Sequence, residues 1–187
     1  MRAAKIVQKV ILLASIVLSV GCAGPQGSGY TVEERRQLLS SIMADKIELV
    51  GPLTQPASFD DDVIPDGLEA VLVARDKQGE PTKISGRIVF ELYAHRPAAA
   101  DPRGAQIQTW ELPLASDKDQ ETYWNHTTLM YEFKLQIDLA VMPKGRKFVL
   151  LARYSDPWNE HMEDQAIIDL SGLASEIRDQ VRGARAE

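Results

Sequence analysis

The chain has one cysteine, Cys22, in 187 residues. A lone thiol excludes an internal disulfide and any cysteine metal cluster. Histidine is scarce as well: His95, His126 and His161 are dispersed, with no pair at helical or hairpin spacing. The paired-His zinc motifs are therefore excluded, and G-x-G-x-x-G, the Walker loop, H-E-x-x-H and G-x-S-x-G do not occur. No apolar run reaches the roughly 20 residues that a helix needs to cross hydrocarbon. Basic residues are also in deficit. Lys and Arg number 21 against 27 Asp and Glu, a net charge of −6. An acidic surface repels phosphate backbones, which excludes nucleic acid as an expected partner.

What is present is concentrated at the start. Met1–Lys9 carries Arg2, Lys5 and Lys9 and no acid, and Val10–Val20 is an almost unbroken apolar run. Gly21 and Cys22 follow. A basic start, a short apolar stretch and a small residue before a cut form the pattern of an export signal. Small residues ahead of a cysteine resemble the lipobox of bacterial lipoproteins. Ser19 stands where that motif usually has Leu, with Leu18 one place earlier. The resemblance implies a diacylglycerol on the Cys22 thiol and a signal peptide over residues 1–21. It also implies a mature chain that begins at Cys22. Ala23 is not the aspartate that retains many such lipoproteins in the inner membrane. The resemblance therefore implies an outer-membrane protein facing the periplasm.

Removing residues 1–21 takes three basic residues and no acid, leaving 166 residues and a balance of −9. That length suits one domain with a single core. Residues 22–30 are small, polar and glycine-rich, the composition of a flexible tether. Membrane contact is then expected from acyl chains, not from a basic face.

Residues 31–187 read as one β-rich domain. Thr31-Val-Glu-Glu34 has capping-box spacing, and Leu38, Leu39, Ile42 and Met43 recur at helical spacing, which predicts a helix over 32–44. Short apolar runs between turn residues then predict strands at Lys46–Val50, Leu68–Arg75, Ile84–His95, Ala105–Leu114, Tyr131–Ile137, Lys147–Tyr154 and Ala166–Leu170. Ser116–Thr128 is polar, a loop with a helical turn. Ile88, Phe90 and Leu92 share one face of their strand, and Trp110, Phe133, Leu135, Phe148 and Leu150 are their expected neighbours. Leu170, Leu173, Ile177 and Val181 fall on one stripe of a terminal helix. The fold class is mainly β: an antiparallel β-sandwich with a helix at each end.

Asp76, Gly79 and Pro81 follow a strand and precede another, the D-x-x-G-x-P turn of Ile64–Pro81. Asp and Gly tolerate tight backbone angles, and Pro starts the next segment. This stretch resembles the opening of immunoglobulin-like or transthyretin-like modules, and such modules occur in uncharacterised bacterial lipoproteins. The resemblance implies binding or scaffolding and brings no catalytic residues with it.

Three features outside the signal carry distinctive chemistry. Asp60, Asp61, Asp62 and Asp66 crowd one loop, and calcium takes six to eight oxygens of this kind. The spacing does not match an EF-hand, and a solvated acidic loop is the plainer reading. Asp156–Asp164 places His161 among Met162, Glu160, Glu163 and Asp164, a donor set for a transition metal. Both loops are expected at one end of the sandwich. Trp124 and Trp158 sit in polar segments and are candidates for an exposed contact, whereas Trp110 lies on an apolar face. No serine has a nucleophile motif around it. The sequence predicts a non-catalytic envelope lipoprotein that contacts an envelope protein. The alternative is a calcium- or metal-binding accessory domain of an envelope enzyme system.

Overall fold

Alternating apolar and polar residues dominate the chain after residue 45, and two antiparallel sheets result. The computed structural model describes residues 29–60, 65–138, 142, 145–158 and 160–170. Cys22, Asp61, Asp62 and the expected terminal helix through Leu173, Ile177 and Val181 lie outside the described residues. The backbone divides into two units, Met1–Arg36 and Gln37–Glu187, and every strand belongs to the second.

Helix α1 spans Val32–Leu39. The Thr31 hydroxyl accepts from the Glu34 N–H (3.2 Å), and the Thr31 N–H donates to the Glu34 carboxylate (2.7 Å). The Thr31 hydroxyl also donates to that carboxylate (2.9 Å), and the two bonds the carboxylate accepts, the backbone one first, hold the Glu34 carboxyl below its usual range. The helix stops short of the expected residue 44. Ser40 turns its hydroxyl (2.8 Å) and its N–H (3.3 Å) onto the Gln37 carbonyl, so the last turn tightens. Leu38, Leu39 and Ile42 stay exposed instead of packing.

Strands follow in the order β1 (Lys46–Leu49), β2 (Gln55–Ala57), β3 (Gly67–Arg75), β4 (Arg87–His95), β5 (Arg103–Pro113), β6 (Trp124–Asn125), β7 (Met130–Gln136), β8 (Lys147–Ser155) and β9 (His161–Asp169), with helix α2 (Asp117–Tyr123) before β6. One sheet has the order β1-β3-β7-β6, with β2 paired to the first part of β3. The other runs β5-β4-β8-β9. The strand β2 was not expected. Its Pro56 lacks an N–H and suits an edge position.

The sheets face each other over one core. Ile88, Phe90 and Leu92 are fully buried, as the alternation predicts, and the Phe90 and Phe133 rings meet at 5.0 Å. Trp110, on the edge strand β5, is only half-buried, and its indole N–H donates to the Gln136 carbonyl (2.8 Å). The Tyr131 hydroxyl accepts from the Ile84 N–H (2.9 Å) and donates to Gln120 Oε1 (2.8 Å). Gln120 Nε2 donates to the Ile84 and Leu114 carbonyls (2.8 and 2.9 Å). This network ties α2 to the β3–β4 connection. Gly86 has a φ of +151° there, and a Cβ at that position would collide with the Ser155 carbonyl oxygen.

The register defines two ends. Arg75 pairs with Lys46, Leu72 with Tyr131, and Arg87 with Ser155, while Ile84 meets the Tyr131 hydroxyl. These residues form the upper end. Gly67 pairs with Gln136, and Lys147 with Asp169, and Ala94 with Phe148. These form the lower end. The nine residues of β3 separate the ends by roughly 26 Å at about 3.3 Å per residue.

Strand β9 is longer than the expected Ala166–Leu170 and absorbs His161–Asp164. The turn before it shrinks to 156–160 because Asp156 folds it: its Oδ1 accepts from the Trp158 N–H (2.9 Å) and the Glu160 N–H (2.8 Å). An inward carboxylate hid the strand's alternation. Asp164 points toward the other sheet and accepts the Leu49 N–H of β1 at 2.7 Å.

Candidate functional site

Odd-numbered residues of β4, β8 and β9 project from the outer face of the second sheet, since successive side chains alternate. Near the upper end Arg87, Val89, Arg153, Ser155, His161 and Glu163, with Met162, line a groove of about 390 Å³. Strand register makes it. Ser155 stands opposite both Arg87 and His161, and Arg153 stands opposite both Val89 and Glu163.

The polar groups are held by one another. Ser155 Oγ and His161 Nδ1 lie 2.8 Å apart. Arg87 reaches Glu111 of β5 at 2.9 Å. Arg153 bridges Glu91 (3.2 Å) and Glu163 (3.6 Å). Glu91 also accepts the Tyr93 hydroxyl at 2.7 Å. Burial first, then that hydrogen bond and the Glu91 charge, push the Tyr93 phenol above its usual range. The face thus carries both signs of charge in alternation across four strands.

A serine beside a histidine raises the question of nucleophilic chemistry. A serine nucleophile needs a base and also N–H donors aimed at the developing oxyanion. Ser155 ends β8, the strand between β4 and β9, and its backbone lies within both pairings. The next amide, that of Asp156, donates to the Glu160 carbonyl (3.1 Å). That N–H is not free to hold an oxyanion.

Sequence reasoning missed this pairing, because Ser155 and His161 carry no motif and meet only through the register of a hairpin. It also grouped Asp60, Asp61, Asp62, Asp66 and His161, of which Asp61 and Asp62 lie outside the described residues. His161 sits on β9 at the upper end, and Asp66 precedes β3 at the lower end, so these two side chains do not meet. His161 and Asp164 moreover project from opposite faces of β9. Asp66 Oδ1 accepts the Phe59 N–H (3.0 Å), and Asp60 Oδ1 accepts the Ser58 hydroxyl (3.1 Å). Among the described residues no three His, Cys, Asp or Glu side chains converge as a metal site would require.

The tryptophans divide. Trp124 is only 7% exposed, a correction to its expected role as a surface contact. It caps the C-terminus of α2, meets Tyr131 edge-on at 4.9 Å, and carries the Lys83 ammonium 5.4 Å from its ring. Its polar sequence neighbours belong to a helix that folds back on the core. Trp158, at the tip of the 156–160 turn, is 37% exposed. No helix of the described residues is long and apolar enough to cross a membrane. Compared with known proteins, the chain matches no family model, no curated protein and no solved structure.

Proposed function

We propose that this chain is a lipid-anchored envelope lipoprotein whose folded part is an immunoglobulin-like module acting by contact and not by catalysis. The N-terminal pattern through Gly21-Cys22 supports the anchor, and Ala23 supports sorting to the outer membrane, facing the periplasm. The strand order supports the immunoglobulin-like reading. Lettered along the chain, β1 with β2 is A, β3 is B, β4 is C, β5 is C′, β6 is D, β7 is E, β8 is F and β9 is G. The sheets then have the orders A-B-E-D and C′-C-F-G, the arrangement of immunoglobulin domains.

One observation carries the contact reading. The Ser155–His161 pair lies in a groove of mutually bonded charges whose adjacent amide is already engaged. Such a face offers fixed donors and acceptors of both signs, which suits the polar surface of another envelope protein. The experiment has two arms. Wild type should enter the detergent phase on phase separation, and Cys22→Ser should leave it or persist as uncleaved precursor. An aqueous wild type would remove the anchor. A fluorophosphonate probe should leave Ser155 unlabelled at neutral pH. Labelling lost in Ser155→Ala would replace the contact reading with a hydrolase.

A further inference from the structure

Strand register surrounds the Ser155 hydroxyl with basic side chains. Arg87 of β4 and His161 of β9 stand directly opposite Ser155 on its two sides, and Arg153 lies two residues before it on the same face. All of them line the groove, as do Val89 and Glu163. The acids stand mostly behind. Glu111 holds Arg87 from β5 (2.9 Å), and Glu91 holds Arg153 from β4 (3.2 Å), and neither lines the groove. Glu163 does line it, with its carboxylate 3.6 Å from Arg153 Nε. Above the groove Asp156 is engaged by the Trp158 and Glu160 N–H groups of its own turn, and Glu160 sits on that turn outside the lining.

The lining thus carries two guanidinium charges against one carboxylate, a balance of +1 with His161 neutral, in a chain of −6. With Glu111 and Glu91 counted the cluster is −1. What favours an anion is therefore the arrangement and not the sum: N–H donors face the groove and acids stand behind them. We propose that the groove binds one carboxylate, seated over the Ser155 hydroxyl between Arg87 and His161, with the ligand's apolar body on Val89. Two sources share this chemistry, a free organic acid and the C-terminus of a peptide. The proposal rests on the contact reading of the groove and deepens it by naming the group that is contacted.

Charge and geometry decide for a carboxylate. A monoanion matches the lining, whereas a phosphate dianion leaves one charge unmatched. The groove measures about 390 Å³, the size of a small-ligand site. Arg87 meets Glu111 through Nη1, and a guanidinium has further donors in a planar fork that fits a carboxylate. The Arg87 and Glu111 side chains are 56% and 60% exposed, and so exposed an ion pair is worth little and opens readily. When His161 Nδ1–H donates to Ser155 Oγ, the serine hydrogen is free to donate to the ligand.

The test is a titration of the full chain in a non-ionic detergent, read by the ring-proton resonances of its three histidines. Isovalerate should move the His161 resonances saturably and leave those of His95 and His126 in place. Isovaleramide, which has the same shape without the charge, should not move them, and inorganic phosphate should bind more weakly than isovalerate. Acetyl-Gly-Gly-Val with a free C-terminus should shift His161, and the same peptide amidated should not. Tighter binding of the free-acid peptide than of isovalerate assigns the site to peptide ends, and the reverse order assigns it to organic acids. Arg87→Gln should weaken isovalerate at least about tenfold. Glu111→Gln, which frees Arg87, should tighten it about two- to fivefold. Both variants are checked for native circular dichroism. Phosphate or isovaleramide binding as tightly as isovalerate, an amidated peptide equal to the free acid, or unaltered affinity in Arg87→Gln would overturn the proposal. So would an absent His161 shift in wild type with Ser155 unlabelled by the fluorophosphonate, which leaves the contact reading standing. Labelling of Ser155 would instead overturn that reading, and the proposal with it.

Discussion

Strands β3 and β9 have nine residues each and opposite characters. Gly-Leu-Glu-Ala-Val-Leu-Val-Ala-Arg, in β3, is buried along nearly its whole length, on both faces. His-Met-Glu-Asp-Gln-Ala-Ile-Ile-Asp, in β9, alternates, with His161, Glu163, Gln165, Ile167 and Asp169 exposed. The first strand is flanked by neighbours on both edges and the second has a neighbour on one. A central strand can be apolar throughout, because both faces are covered and both edges are hydrogen-bonded. An edge strand with a solvent face needs polar residues there to remain soluble and unpaired. The same difference separates stability from contact. The interior strands hold the fold, and the outer face through β9 offers the groove.

Several substitutions would break or sharpen this contrast. The largest effect belongs to the buried strand. Leu72→Ala should destabilise by about 2–5 kcal/mol, the range for a truncated core leucine, read by urea unfolding. A loss within error would mean that β3 does not hold the core. Tyr131→Phe removes one oxygen but takes the partner from the Ile84 N–H and from Gln120 Oε1. It should cost about 1–3 kcal/mol, with the melting temperature as readout.

On β9, Asp164→Ala deletes the acceptor of the Leu49 N–H, the polar tie between the edges of the two sheets. About 1–2 kcal/mol is expected, and hydrogen exchange at Leu49 should accelerate while that at Leu72 does not. Equal acceleration at both would show that the edges are not independent of the centre.

Alkaline pH tests the interior by another route. Burial first, then the Asp156 charge, raises the Tyr154 phenol, and burial raises that of Tyr131. A raised folded value means that these phenols contribute stability in full below the unfolded value of about 10. That stability is lost as pH climbs through the folded values. Denaturant midpoints should therefore stay flat up to about pH 10 in this respect and fall above it. The fall should be shallower in Tyr154→Phe. An unaltered slope would mean that Tyr154 titrates as if exposed. The smallest effect belongs to the groove: His161→Ala should change stability by no more than about 0.5 kcal/mol. A larger loss would make the Ser155–His161 pair part of the scaffold.

The legible part of the fold was its alternation. Ile88, Phe90 and Leu92 announce an inward face, and they are buried where the period of two puts them. The turn Asp76–Gly79 is legible too. Gly79 takes a φ of +86°, and Asp76 Oδ1 accepts from the Gln78 and Glu80 N–H groups at 2.9 and 3.0 Å. Other elements were less legible. Asp164 is a carboxylate on an inward position, Trp124 is an aromatic ring among polar neighbours, and Leu38 and Ile42 are apolar residues at helical spacing that nothing in the sheets covers. For Asp164 and Trp124 local pattern points one way and the partner is distant in sequence: Leu49 for Asp164, Lys83 for Trp124.

By itself the sequence determined what depends on neighbours a few residues away. That covers the period of the strands, the capped start of α1, the tight turns, the acidic balance, and the signal-like N-terminus with its single cysteine. The tertiary structure decided what depends on register and on which end a turn occupies. It put Ser155 against His161 and set Asp66 and His161 at opposite ends. The reason is that hydrophobic period is local, whereas antiparallel pairing joins residues far apart along the chain. A shift of one residue would send every side chain of a strand to the other face.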